Sequence, residues 1–320
     1  MFEKRKNSLP GNNEVAGFRL TRRQKSVKEQ DPGSITQKLP HWVKYLPPDL
    51  LFDSHCHLDC LFIEHLPQME LESYEEVLHA FPTMKKLSGV ITSFCQPSLW
   101  SSLLYPPSNL VLSMFTHIGH NYTVGVHPHF ASQLLERPNM IRQLHQLLSE
   151  PGVVGLGEVG LDGSKGNVMD EQMEAFKLQV KLAMELKLPL MMSVRNAEAE
   201  AVSVLDSVEL PRDWPIHRQW CGPVGPGSWA VCSAWLARFP ASVVGLTEDV
   251  CEEGCWGVAG LLPLDRLVLQ SDAPHTAISG QFLLPVHLLR VAERVSKLRN
   301  LSPETVLRAS RDNVRRIYRV

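Results

Sequence analysis

Long apolar runs are missing from this chain. No stretch of about eighteen consecutive apolar residues occurs, so no segment reads as a membrane span. The opening residues, MFEKRKNSLPGNNEVAG, are charged and carry no apolar centre, which argues against a secretory signal. Charge of one sign is also lacking. The chain has 32 Lys and Arg against 34 Asp and Glu, a formal net charge of −2, so the protein as a whole is no general polyanion binder. Cysteine is sparse: seven in 320 residues, odd in number and without a repeated spacing, which reads as reduced thiols. CEEGC at 251–255 has the look of half a zinc site, but no second Cys or His pair lies near it in sequence. No Gly-x-Gly-x-x-Gly follows the first strand-like run, so the dinucleotide reason for an open sheet is gone. These absences lead to the expectation of an intracellular protein, cytoplasmic and/or nuclear, with no membrane partner.

What is present begins with a change of composition. Residues 1–48 carry ten Lys and Arg with few aliphatics between them, too little to bury much surface. They are expected to form a basic, disordered extension. LTRRQKSVK at 20–28 has the character of a nuclear-targeting or nucleic-acid patch, with a solvated tail as the plainer reading. LPHWVKYLPPDL at 39–50 has aromatics that would pack on a domain edge.

From about residue 49 the pattern becomes rhythmic. Val-, Ile- and Leu-rich runs occur at 50–55, 89–94, 122–127, 152–158, 188–194, 214–219, 242–247 and 266–272. Helical periodicity fills gaps between them, at 139–150, 170–187 and 282–299. In the second of these, apolar side chains recur at Met173, Phe176, Val180, Ala183, Met184 and Leu186. SPETVLRASRDNVRRIY then closes the chain as a helix with Ser302 as cap and Pro303 in its first turn. Eight strands alternating with helices over 49–320 predict an α/β fold, a (β/α)8 TIM barrel, with a doubly wound sheet as the rival.

In such a barrel, chemistry collects where strands end. His55 and His57 follow the first strand, and their spacing puts both imidazoles on one strand face, within reach of one ion. His127 and His129 follow the third strand, Ser193 and Arg195 the fifth, Glu248 and Asp249 the seventh. His217 and Gln219 lie on the sixth. Glu158 sits in a run too apolar for a solvated acid, and Asp272 ends a buried strand. His55, His57, Glu158 and Asp272 therefore form a candidate ligand set for a divalent metal ion, Mg, Mn or Zn.

The motifs FDSHCHLD, GVHPHF, GEVGLD, LPLMMSVRNAE, IHRQW and SDAP, in that order, resemble the TatD-type metal-dependent deoxyribonucleases, a family of amidohydrolase-like TIM barrels. The resemblance covers about residues 50–319 and is strongest to animal members with an N-terminal extension. It implies phosphodiester hydrolysis of DNA at a centre for two divalent ions. The first ion would take His55, His57, Glu158 and Asp272, all of which match. The second would share Glu158 and add two histidines, whose places are held here by Ser193 and Gln219. The aromatic and the glycine of that second motif are replaced by Cys221 and Pro223, and an acid expected two residues before Asp272 is Gln270.

Serine and a glutamine amide are much weaker ligands than imidazole. One ion site is thus expected and a second is in question, with His217, His127, His129, Glu248 and His275 as possible replacements. The catalytic assignment implied is Glu158 and the ion generating hydroxide, Asp272 acting as ligand and general base, and Arg195 contacting a phosphate. The plainer role for Arg195 is an ion pair with Glu198 or Glu200. Three readings stay open: a two-ion nuclease of DNA or RNA, a one-ion hydrolase, and an inactive barrel that binds one metal or serves as a nucleic-acid or protein scaffold.

Overall fold

The structure is a computed structural model that describes residues 40–61, 74–104, 121–165, 168–221, 227–248, 256–275 and 283–320. Residues 1–39 of the expected extension, the CEEGC pair, Asp249 and Pro223 lie outside the described residues. Residues 40–48 are described. A short 3-10 helix, His41–Tyr45, sets Val43 into the core beside the barrel.

The eight apolar runs form eight parallel strands in the order of the sequence: β1 (Leu51–Cys56), β2 (Leu87–Phe94), β3 (Tyr122–Val124), β4 (Val153–Asp162), β5 (Leu190–Arg195), β6 (Ile216–Trp220), β7 (Val243–Leu246) and β8 (Leu267–Leu269). Each pairs with the next. The seam between β8 and β1 is bridged by Ser54 Oγ donating to the Leu269 carbonyl (2.8 Å). Asp272 N and His57 N donate to the carbonyls of His55 (3.1 Å) and Ala273 (2.6 Å). The fold is the expected TIM barrel. Parallel pairing requires a crossover after each strand, which is why helical segments separate the runs.

Alternation along the strands splits the apolar residues into two layers. Val90, Met192, Val244, Leu267 and Leu269 face outward and join the large core beneath the helices. Ile91, Met191, Val243 and Val268 face inward with Phe52 and make a smaller core in the barrel. The closing helix, Pro303–Tyr318, completes that core with Val314, Ile317 and Tyr318.

The helices follow the periodicity closely: α1 (Met140–Leu147), α2 (Met169–Leu186), α3 (Glu198–Ser207), α4 (Ser228–Arg238), α5 (Leu288–Arg299) and α6 (Pro303–Tyr318). In α6, Ser302 accepts from the Thr305 N–H at 3.1 Å and Pro303 fills the first turn, as the capping signal predicts. Pro285 begins a 3-10 turn that leads into α5. On α2 the buried stripe includes two glutamines the apolar pattern passes over. Gln179 accepts from Val126 N (2.7 Å) and donates to Val126 O (3.1 Å), while Gln172 accepts from Asp162 N (2.7 Å). Both pin strand ends next to the site.

Candidate metal centre

His55 is the penultimate residue of β1 and His57 follows the strand directly. His57 Nδ1 lies 3.2 Å from the Ser93 carbonyl, which accepts only, so Nδ1 carries the proton and Nε2 is left with its lone pair. His55 Nδ1 faces the Met191 thioether at 3.1 Å. The two Nε2 atoms then lie 3.1 Å apart. Two lone pairs that close repel unless a cation or a proton stands between them.

Both carboxylates expected from the sequence reach the same point. Asp272 Oδ1 lies 3.2 Å from His55 Nε2 and 3.6 Å from His57 Nε2. Glu158 Oε2 is 3.6 Å from each. Donors about 2.1 Å from a common ion are about 3.0–3.4 Å apart at octahedral or tetrahedral angles, and His55, His57 and Asp272 lie together at close to that spacing, with Glu158 beside both imidazoles. Asp272 is held well below the usual carboxylate range despite its burial, through the His55 and His57 hydrogen bonds. Glu158 is likewise lowered against burial, by His127, His55 and His57. Both acids are therefore ionised at neutral pH, as ligands must be.

The backbone routes to these positions differ from the expected strand ends. β4 runs on to Asp162, so Glu158 lies within it, beside a register shift between Leu156 and Val159. β8 stops at Leu269, and Asp272 sits in the turn beyond at φ 55°.

Of the possible replacement ligands, several are committed elsewhere. His217 is fully buried below the site; its Nδ1 lies 2.8 Å from Tyr318 OH and its Nε2 3.2 Å from Gln270 Oε1. The amide oxygen only accepts, so Nε2–H donates to it and Nδ1 accepts from the tyrosine. Burial lowers this histidine to about 3, so it stays neutral. His129 pairs with Asp162 (2.8 Å) and Glu248 with Arg290 and Arg294 (3.6 and 2.9 Å). His127 Nδ1 accepts from His129 N (3.2 Å), which leaves a proton on Nε2, 3.7 Å from Glu158 Oε1. In that tautomer His127 turns an N–H, not a lone pair, toward Glu158, beyond hydrogen-bonding distance. His275 stacks against His57 with ring centroids 4.6 Å apart.

Ser193 and Gln219 are register neighbours on β5 and β6. Arg195 is exposed at the end of β5. Glu198 pairs instead with the buried Arg218 at 3.2 Å, which leaves the Arg195 charge to act on Asp162 and Cys221.

Three neighbours of the site carry little signal in sequence. Asp53, two residues before His55, accepts from Ser271 and His55, and burial still pushes it up to about 7. Cys95 Sγ lies 4.0 Å from Glu158 Oε2, and with His57 and Glu158 forms a further cluster of metal-ligating types; burial keeps it protonated, at about 11. Gln179 fixes the strand that presents His127. Only Asp53, an acid flanking the histidine pair, could have been singled out.

An eight-stranded parallel barrel with His, His, Glu and Asp side chains gathered near the carboxyl ends of its strands has the amidohydrolase-like fold. The chain belongs to the TatD-related DNase family, whose model matches residues 52–319. It is 30% identical over 306 residues to the human protein named 3'-5' RNA nuclease TATDN2, covering 89% of this chain and 37% of that one. It thus spans just over a third of that relative's length. A protein of Pectobacterium atrosepticum named 3'-5' ssDNA/RNA exonuclease TatD is 25% identical over 230 residues, 62% of this chain and 77% of its own. The fold is shared with a TatD homologue of Escherichia coli (TM-score 0.66, 20% identity, 86% of this chain and 100% of that one). It is shared too with a TatD family hydrolase of Entamoeba histolytica (TM-score 0.70, 14% identity, 84% and 98%).

Proposed function

We propose that the protein is a divalent-metal-dependent nuclease that hydrolyses phosphodiester bonds in single-stranded DNA or RNA, with one ion held by His55, His57, Glu158 and Asp272. The observation that carries this reading is the convergence of those four donor atoms within 3.1–3.6 Å of the paired imidazole nitrogens. Nucleic acid is the substrate class because the named relatives act on RNA and single-stranded DNA.

A bound divalent ion supplies Lewis-acid polarisation of a phosphoryl oxygen and of the attacking water. The chain's own groups do the rest. His55 and His57 present fixed lone pairs. Glu158 uses Oε2 as a ligand and keeps Oε1 toward His127, where it steadies the attacking water as it becomes hydroxide. Asp272 is ligand and general base, its ionised carboxylate set beside both imidazoles. Arg195, exposed beyond β5, meets a phosphate oxygen of the strand. Ser193 and Gln219 offer a hydroxyl and an amide at the second-ion position, weaker ligands than imidazole, which supports the one-ion reading.

The same two residues favour the second reading, a barrel that binds one metal and nucleic acid without turnover. The test is metal content per chain with cleavage of single-stranded and duplex DNA and RNA in Mg²⁺ or Mn²⁺. Cleavage abolished by Glu158→Ala supports the nuclease. One ion without turnover, with Ser193→His plus Gln219→His restoring cleavage, sinks it in favour of the scaffold.

A further inference from the structure

We infer that the lobe beside the ion position, around Ser193 and Gln219, is a receptor for a phosphate oxygen built from neutral hydrogen-bond donors. The inference rests on the one-ion reading above.

Strand alternation fixes the placement. Met191 and His217 are register partners that face into the barrel, and Ser193 and Gln219 are the partners one step nearer its carboxyl-terminal mouth. Met191 touches the His55 ring, so the Ser193–Gln219 step lies just above the level of that ligand. Arg218, between His217 and Gln219, faces the other way, packed over the rings of Trp220 and Trp235.

The unpaired group in the lobe is a donor. Gln219 is 3% exposed, and its Nε2 has no hydrogen-bond partner among the described residues. A buried amide N–H₂ without an acceptor is costly, and native structures rarely leave one so. The Ser193 hydroxyl is 9% exposed, and the polar atom beside it is the Cys221 thiol at 3.7 Å, a weak acceptor. Amide and hydroxyl carry lone pairs as well as protons, but the group left buried and unpaired is the amide N–H₂, which an ion's positive charge would repel and an anion's oxygen would satisfy. Arg195 at the end of β5 adds a positive charge on the same side. A phosphate ester spanning the two lobes would set one oxygen toward the four-ligand centre and another toward the Gln219 amide.

The test uses the full chain loaded with Mn²⁺, as wild type, Gln219→Met and Ser193→Ala. Two quantities are read: ions per chain by elemental analysis, and affinity for inorganic phosphate by calorimetry. One ion per chain is expected in all three. Phosphate affinity is expected to fall about tenfold or more in Gln219→Met, the loss of a buried hydrogen bond to an anion, and less in Ser193→Ala. Equal phosphate affinity in wild type and Gln219→Met overturns the proposal, since the amide then serves only water. Two ions in wild type and one in Gln219→Met also overturns it, since the side chain is then a ligand through its oxygen. If Gln219→Met does not fold, Gln219→Glu keeps the size, exchanges donors for acceptors, and must show the same phosphate loss. Gln219-dependent phosphate binding without nucleic-acid cleavage would leave this inference standing and remove the nuclease reading. Cleavage with phosphate affinity indifferent to Gln219 would do the reverse.

Discussion

Ser271 donates its hydroxyl to Asp53 Oδ2 at 2.5 Å and its backbone N–H to Oδ1 at 3.0 Å. One carboxylate thereby ties β1, which carries His55, to the turn that carries Asp272. The two ligands lie 217 positions apart in sequence and meet across this clasp. Asp53→Asn turns one acceptor oxygen into a donor facing N–H and O–H groups. Loss of about 2–3 kcal/mol of stability is expected from denaturant titration. Metal affinity should also fall, by about 10–100-fold, as for groups that orient ligands. Unchanged values for both would show that the clasp is idle.

Removing a ligand acts on the ion directly. His55→Ala and Asp272→Asn are each expected to lower Mn²⁺ affinity by more than the about 10–100-fold that orienting groups produce. Calorimetry reads this directly, and metal-free melting temperatures separate it from misfolding. A variant that retains the ion at wild-type affinity would remove its residue from the ligand set.

Acid should destabilise the metal-free protein between about pH 6.5 and pH 4. His127, His217, His275 and His287 are pushed by burial from 6.5 to about 4, 3, 4 and 4. In that window the unfolded chain binds protons that the folded chain refuses, so stability falls as pH falls. Asp53 acts oppositely. Raised from 3.8 to about 7, it binds a proton in the fold first, and its contribution weakens as pH rises. His57, held protonated in the fold above its ordinary range, acts with Asp53 near the top of the window. The four lowered histidines outnumber these two and leave a net loss on acidification. His217→Asn should flatten the slope of unfolding free energy by up to about 1.4 kcal/mol per pH unit, measured in chelator. An unchanged slope would mean that His217 titrates normally in the fold.

Gly160 sets how closely β4 approaches β5. It has φ +143°, and a Cβ there would lie 1.9 Å from the Ser193 carbonyl oxygen. Gly160→Ala must displace backbone rather than a side-chain tip. It is expected to cost more than about 3 kcal/mol, or to prevent folding, because strain and overpacking add. Near-wild-type thermal stability would show that β5 can yield.

The barrel was legible because its signals are local. Val-, Ile- and Leu-rich runs of strand length, separated by 3.6-residue periodicity, specify parallel strands with crossovers, and all eight runs became strands. The His-x-His pair was legible for the same reason, since two-residue spacing fixes a shared face. Strand lengths were not legible at the site. β4 continues four residues past Glu158 to Asp162, and β8 stops three residues short of Asp272. Those ends are set by pairing with neighbours, which local composition does not encode. Gln172 and Gln179 were passed over because a glutamine within a helix stripe reads as surface until its partner strand is in place.

By itself the sequence determined the alternation of strand and helix, the capped closing helix and the donor types for one ion, because these depend on neighbours a few residues away. Tertiary structure decided what those donors do. It brought Asp272 to His55 through Asp53 and Ser271, and set the lone pairs of the paired imidazoles through Ser93. It also enclosed His217 between Tyr318 and Gln270, where it is no ligand. The reason is physical: a metal centre is defined by the directions of lone pairs from three distant strands, β1, β4 and β8, and only the closed barrel fixes those directions together.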